Sequence, residues 1–365
     1  MELMKLMEDW SGYKAIGEGL RGPEHELKVA EAGKLLANAK GLPPHVHEYL
    51  IREALTTSDF PYLFGDVLDR QVLASYKAVD PVWKVFVKKS TNKDFKAAYR
   101  FAITGGDQHL DRVAEKGEYP ASDREEAKYE LSVLKYGRQF DISWETMIND
   151  DLGALKDTPE RFARAAVRTE HRIVTTLYAR NAVTYTGAHG NMAAGALTIA
   201  NLETGLEAMA AFVDGAGEPI MNRAKYLVVP PALEMTALAI LNSTTMMRAD
   251  AGAPAPYPTT NVVAKAGLTL VVDPYLPIID TTDGATGWYL FADPNDITAL
   301  EVAWLRGHER PEICMKASDK VTVGGGAINP MSGDFATDNV FYRVRLVFGG
   351  VTEDWRATYM GGSTL

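Results

Sequence analysis

The residues of this chain whose types could do chemistry are few and scattered. His45 and His47 follow Pro43-Pro44 at a spacing that lets two imidazoles on one strand hold a metal ion, but no third ligand stands nearby. Surface or packed histidines are the favoured reading. His171 lies between Glu170 and Arg172 in a helical stretch, where a lone histidine beside a carboxylate is more often packed or ion-paired than catalytic. Cys314, the single cysteine, sits in EICMKA, a predicted strand. As a nucleophile it would need a paired histidine, and His308 cannot be assigned that role, so a buried structural thiol is the better reading. The run Gly324-Gly325-Gly326 lacks the lysine and helix start of a phosphate cradle and reads as a flexible turn. There is no GxGxxG, P-loop lysine, HExxH or GxSxG. One covalent possibility is an isopeptide bond between a loop lysine and an asparagine of another subunit, with a carboxylate as base. Lys116 and Lys128 on one side, and Asn329 and Asn339 on the other, have the types but nothing that specifies the reaction. No catalytic, cofactor or metal residue is assigned, and no cofactor is expected.

Composition bounds the alternatives. The chain has 365 residues, 46% hydrophobic and 24% charged, enough for two domains with a sizeable core. One cysteine excludes an internal disulfide framework. No apolar run approaches the roughly eighteen residues of a membrane span, and MELMKLMEDW does not read as a signal peptide. A net charge of −10 argues against a dedicated nucleic-acid binder, whose affinity rests on cations that neutralise phosphate, but not against a container for nucleic acid.

The elements that would position these residues centre on 94–144. DFKAAYRFAI alternates, with Phe95, Ala97, Tyr99, Phe101 and Ile103 on one face and Lys96 and Arg100 on the other. A charged, Gly- and Pro-containing tip follows at 105–126. A second run then alternates through Tyr129, Leu131 and Val133, slips phase at Leu134, and alternates again through Tyr136, Phe140, Ile142 and Trp144, as a bulge would allow. Two strands alone are marginal in water, so this hairpin needs another surface to lie on.

Around it, 24–40 reads as a helix, and Ser58 caps another that runs to about Tyr76. Residues 79–89, with Trp83 and Phe86, read as a buried strand. Thr158-Pro159 opens a long helix over 160–182, with Phe162, Ala166, Thr169, Ile173 and Leu177 as its apolar stripe. Arg161, Arg164, Arg168 and Arg172 form a parallel row that could bind phosphate but reads first as a solvated face. Asn201 caps a helix carrying Leu202 and Met209; 226–229, 268–272 and 288–291 are short buried strands; Pro230-Pro231 launches a helix; and 252–258 is a loop tip. Val340 to Phe348 alternate, Gly349-Gly350 makes a tight turn, and the chain continues through Val351, Trp355 and Tyr359.

This order of elements, with the strings TTSDFPYLFGDVLDRQVL (56–73), EKGEYP (115–120) and VVPPAL (228–233), resembles the major capsid proteins of tailed bacteriophages with the Hong Kong 97-like fold, especially coats of phages infecting actinobacteria. The resemblance implies an α+β fold with an N-terminal arm (1–57), an arm helix and the start of the P-domain (58–93), and an E-loop hairpin (94–144). A P-domain with a spine helix (145–195), an A-domain (196–310) and closing P-domain strands (311–365) would follow. It implies hexamers and pentamers of this chain closing into an icosahedral shell around double-stranded DNA, held without sequence-specific binding. The expected location is the virion, assembled in the host cytoplasm, with no membrane. Expected partners are a separate scaffolding protein, a portal and a cement or decoration protein. The scaffolding protein is expected because only 1–57, with no extended heptads, precede the Ser58 helix. The contacts with a neighbouring subunit fall to Tyr99, Phe101, Tyr129 and Leu131 for apolar area, and to Asp111, Arg112, Glu115, Lys116, Glu118 and Arg124 for register. The alternatives are an encapsulin-like nanocompartment shell and, less favoured, an α/β enzyme or a tail-tube component.

Overall fold

A computed structural model describes residues 76, 81–104, 125–143, 152–215, 217–220, 222–248, 257–316, 318–320 and 333–362. The expected arm, the Ser58 helix, His45 and His47, Gly324 to Gly326, Lys116 and Asn329 lie outside them. The first strands are β1 (Lys88–Asn92), β2 (Ala98–Thr104), β3 (Glu125–Leu131) and β4 (Leu134–Ile142), followed by helix α1 (Leu152–Tyr178). Then come β5 (Met192–Ala193), α2 (Ile199–Ala210), β6 (Ala224–Val229), α3 (Glu234–Asn242), β7 (Thr245–Arg248), β8 (Tyr257–Thr260) and β9 (Thr269–Val272). The chain closes with α4 (Leu276–Ile279), β10 (Trp288–Ala292), β11 (Leu300–Leu305), β12 (Glu312–Met315), β13 (Val340–Thr352) and β14 (Thr358–Gly361). It divides into two compact units, one holding 135–167 and 307–347, the other 80–134, 168–306 and 348–365.

The larger unit is built on a sheet of order β5-β14-β10-β6-β9. All five residues of β10, WYLFA, are buried, because the strand has antiparallel neighbours on both sides. A run apolar on both faces belongs at such a centre. Helix α2 lies on this sheet at Gly205, where an added Cβ would sit 3.0 Å from the Tyr359 ring. Its cap is Thr198, whose hydroxyl accepts from the Asn201 N–H at 3.2 Å, so Asn201 is inside the helix and not its cap. The strand expected over 79–89 is instead a 3-10 turn at Val82–Val85 followed by β1. Trp83 and Phe86 are three residues apart, and a 3-10 turn brings such a pair to one side. Trp83 lies against Trp304 and Phe348, and Phe86 stacks on Phe291 at 4.7 Å.

The same unit pairs β1 parallel with β11, and β11 antiparallel with residues 348–352 of β13. The tight turn expected at Gly349-Gly350 is absent: β13 runs straight through both glycines. They answer to crowding, since a Cβ on Gly349 would lie 2.0 Å from the Ser132 carbonyl oxygen, and one on Gly350 would lie 2.7 Å from Leu177.

In the smaller unit, residues 342–345 of β13 pair with β12, and β4 also pairs with β13. Gly137 permits this approach, since its Cβ would stand 2.6 Å from the Val344 oxygen. Phe140 packs between Phe162 and Tyr342, at 4.7 and 5.1 Å. Cys314 is on β12, as expected for EICMKA, but is only half-buried.

Helix α1 starts at Leu152, upstream of the expected Thr158-Pro159 cap, and ends at Tyr178. A helix of this length carries the one backbone hydrogen bond that Pro159 removes. Its buried face is Ala163, Ala166, Val167, Glu170, His171, Val174, Thr175 and Tyr178; of the expected stripe, only Ala166 is fully on it. The stripe is displaced because polar residues take buried positions. Glu170 accepts from the Trp304 indole at 3.1 Å, and Thr175 and Tyr178 donate to Asp273. His171 is packed, with Nε2 3.0 Å from Asp273 Oδ1, while no aligned hydrogen-bond acceptor meets that nitrogen among the described residues. Burial would push the Asp273 carboxyl up, but His171, Thr175 and Tyr178 outweigh it and hold it below the ordinary aspartate value.

Candidate functional site at the hairpin

Strands β2 and β3 form an antiparallel ladder from Ala98 opposite Leu131 to Thr104 opposite Glu125. Directly opposed residues share a face. The register therefore sorts the expected contact residues in two. Tyr99 with Glu130 and Phe101 with Lys128 occupy one face, and Ala98 with Leu131 and Arg100 with Tyr129 occupy the other.

Burial follows that division. Tyr99 is 47% and Phe101 59% exposed, whereas Leu131 is fully buried and Tyr129 half-buried. Leu131 is thus a correction: it is core of its own chain and offers no area to a neighbour. The physical reason is the register, which turns it inward where the hairpin enters the body. There Asn92 donates to its carbonyl at 3.3 Å. The Lys128 ammonium stands 3.6 Å from the centre of the Tyr99 ring, a cation–π contact on the open face. Asp111, Arg112, Glu115, Lys116, Glu118 and Arg124 lie outside the described residues.

The long second strand is also corrected. The phase slip at Leu134 is not a bulge in one strand but the break between β3 and β4, at Ser132 and Val133. β3 pairs with β2 and β4 with β13, so each half alternates in the phase its own partner requires.

The inward face of the hairpin ends in a charged anchor that sequence reading did not assemble. The Arg100 guanidinium donates to Glu301 Oε1 at 2.8 Å, and Lys88 Nζ lies 3.4 Å from Oε2. Glu301, on β11, is fully buried. Arg100 also reaches the Ser90 hydroxyl at 3.4 Å, and that hydroxyl donates to the Val302 carbonyl at 3.2 Å. Burial would raise the Glu301 carboxyl, but its interactions with the neighbouring Glu353, Ser90 and Arg100 hold it well below the ordinary glutamate value. Glu353 goes the other way. Burial and the facing Glu301 carboxylate push it up to about 8, against the opposing pull of Lys88 and Arg100. The two glutamates form one acid and one carboxylate, because like charges this close cannot both ionise freely. The phenol of Tyr129 is raised by burial and by Asp354 and Glu353, with Arg356 opposing. One signal was available in the sequence: Glu301 is the single acid in the apolar run LEVAWL.

The arrangement positions and holds; it presents no nucleophile with a base beside it. Among the described residues, no group of three His, Cys, Asp or Glu could hold a metal ion. Also among them, no helix is long and apolar enough to cross a membrane. Asn339 donates to Asp141 at 2.9 Å within the chain.

A sequence model described as phage capsid protein matches residues 127–361, well over half of the chain. Similar solved structures come from Mycobacterium phage Patience (11% identity, 84% of this chain and 91% of that one, TM-score 0.49) and from the capsid of cyanophage P-SCSP1u (12%, 77% and 88%, 0.48). Another is from Gordonia phage Cozz (12%, 77% and 85%, 0.47). No curated protein matches the chain.

Proposed function

The chain belongs to the phage capsid protein family, and on that premise we propose that it is a major capsid protein of Hong Kong 97-like α+β fold that closes, as hexamers and pentamers, into an icosahedral shell around phage double-stranded DNA. The hairpin β2–β3 is the clamp that each subunit lays on its neighbour. The observation that carries this reading is the open aromatic face of Tyr99 and Phe101 on a hairpin whose other face is fixed to its own body by Arg100 and Glu301. A strand pair that exposes its aromatic side is incomplete by itself, and covering that side with a neighbour removes apolar area from water. The buried anchor sets the direction in which the hairpin leaves the body. Tyr129 lines the inward face and steadies that exit. The tip charges, Asp111, Arg112, Glu115, Lys116, Glu118 and Arg124, would then fix register between subunits.

The protein's role is structural, and its place is the virion capsid. A scaffolding protein, a portal and a cement or decoration protein are the further proposed partners, with assembly in the host cytoplasm. The test replaces 106–125 by a short turn. The shortened chain should stay folded, with an unchanged far-ultraviolet dichroism spectrum per residue, yet give no closed particles in negative stain. Closed particles of normal size from that variant would refute the clamp. A cargo enzyme and no DNA inside purified particles would favour the nanocompartment reading instead.

A further inference from the structure

Helix α3 is apolar on more than one side. Ala237 and Ile240 turn inward and are buried, while Met235, Leu238, Ala239 and Asn242, at i, i+3, i+4 and i+7, lie along another face and are exposed. That spacing is the spacing of a stripe that faces a core, yet Met235 is 73% exposed. The surface continues beyond the helix. The turn at Val263–Lys265 packs on α3, and Asn261 ties the two together. Its side chain donates to the Ile240 and Ser243 carbonyls at 2.6 and 3.1 Å, and its N–H donates to the Thr244 carbonyl at 3.1 Å. Val262, the next residue, is thereby fixed beside the end of the helix and is 64% exposed. No charged side chain occurs from Met235 to Met247, in a chain that is 24% charged.

We propose that this face, Met235, Leu238 and Ala239 with Val262, is a contact between copies of the chain that is separate from the hairpin clamp; the proposal rests on the shell reading above. Charge selects the occupant. Copies of a chain of net charge −10 repel one another, and that cost is least where the meeting surface carries no charge. Duplex DNA is a poor occupant, because a face without cations releases no counterions from phosphate. Permanent contacts between identical chains are more apolar than transient ones, and their centres are depleted of charged residues. That is the composition found here. The buried side of α3 and the Asn261 tie hold the face in place, so little ordering is lost when a second copy covers it.

The test is oxidation by hydrogen peroxide, read by mass spectrometry, on shells assembled from the full-length chain alone, where only another copy can cover the face. Met209 and Met360, both fully buried, are internal standards. In the unassembled subunit Met235 should oxidise as fast as free methionine, and in shells about tenfold slower, towards the rate of the two standards. Equal rates for Met235 in shells and subunits would overturn the proposal. Protection already present in the subunit would overturn it too, by showing that the chain covers the face itself. A second measurement uses Met235→Glu with Val262→Glu. These charges should leave the denaturant midpoint of the subunit unchanged and abolish shells, whereas Met235→Leu with Val262→Ile should assemble as wild type does. Normal shells from the glutamate variant would overturn the contact and leave the shell reading standing. No particles from wild type would sink the shell reading and this contact with it.

Discussion

Strands β2 and β10 read alike in sequence, AYRFAIT against WYLFA, and end in opposite surroundings. Every residue of β10 is buried, whereas Tyr99 and Phe101 of β2 stand about half exposed. The difference is in neighbours. β10 is flanked by β6 and β14, and Phe291 on it packs against Phe86 and Tyr178; among the described residues β2 pairs with β3 alone. An apolar strand with its neighbours in the same chain makes a core. One with a single partner leaves a face open, and that face is where we propose that another copy of the chain lies.

Substitutions should separate the two strands by stability first. Phe291→Ala removes a ring stacked at 4.7 Å on Phe86 and edge-on to Tyr178, and should cost about 3–5 kcal/mol in denaturant unfolding. Gly349→Val comes next. Its side chain would start 2.0 Å from the Ser132 oxygen, where β13 meets the entry to the hairpin, and overpacking of this kind costs about 1–3 kcal/mol. Retained wild-type stability in either variant would mean that the packing is looser than described and the contrast with β2 weaker.

The anchor between hairpin and body gives a smaller, pH-dependent effect. Glu353 is raised in the fold, so the stability it contributes is fully present below the ordinary glutamate value and is lost as pH rises through about 8. Glu301 is lowered, so its contribution is present above the ordinary value and is lost as pH falls through its folded value. On the alkaline side, wild type should lose about 1–2 kcal/mol, allowing for solvent screening, as Glu353 ionises against Glu301. Glu353→Gln cannot ionise and should flatten that limb. An unchanged limb, measured by unfolding at stepped pH, would separate the glutamates and remove the anchor's proton.

The sequence made the frame legible where one physical cause decides an element. The strands 226–229 and 288–291 and the helix after Pro230-Pro231 follow from apolar runs and proline punctuation, and each is found. Errors arose where a residue type has two causes. Gly349-Gly350 suits a turn and a crowded backbone equally, and only the approach of Ser132 decides. Glu170 and Thr175 fall outside the expected apolar stripe but are buried, because Trp304 and Asp273 answer them from more than ninety residues away, while His171 is packed as its setting suggested. Within the site, the aromatic face of β2 could be read from alternation. That Leu131 faces inward could not, since it depends on the register with β2 and not on the composition of β3.

The smallest expected stability effect decides most about the comparison. Tyr99→Ser with Phe101→Ser alters only the open face of the hairpin, so the unfolding free energy of the isolated subunit should shift by no more than about 0.5 kcal/mol, as for ordinary surface substitutions. Losing the Lys128 contact with the Tyr99 ring is part of that small shift, because at an exposed site such a pair contributes about 0.5–1 kcal/mol at most. Assembly, read by negative stain and sedimentation, should nonetheless fail. A loss of stability comparable to that of Phe291→Ala would mean that the chain covers this face itself, and β2 would then be core like β10. Unchanged stability together with normal shells would mean that the face needs no cover. Only the combination of an intact subunit and a failed shell fits a surface whose missing neighbour is another copy of the chain.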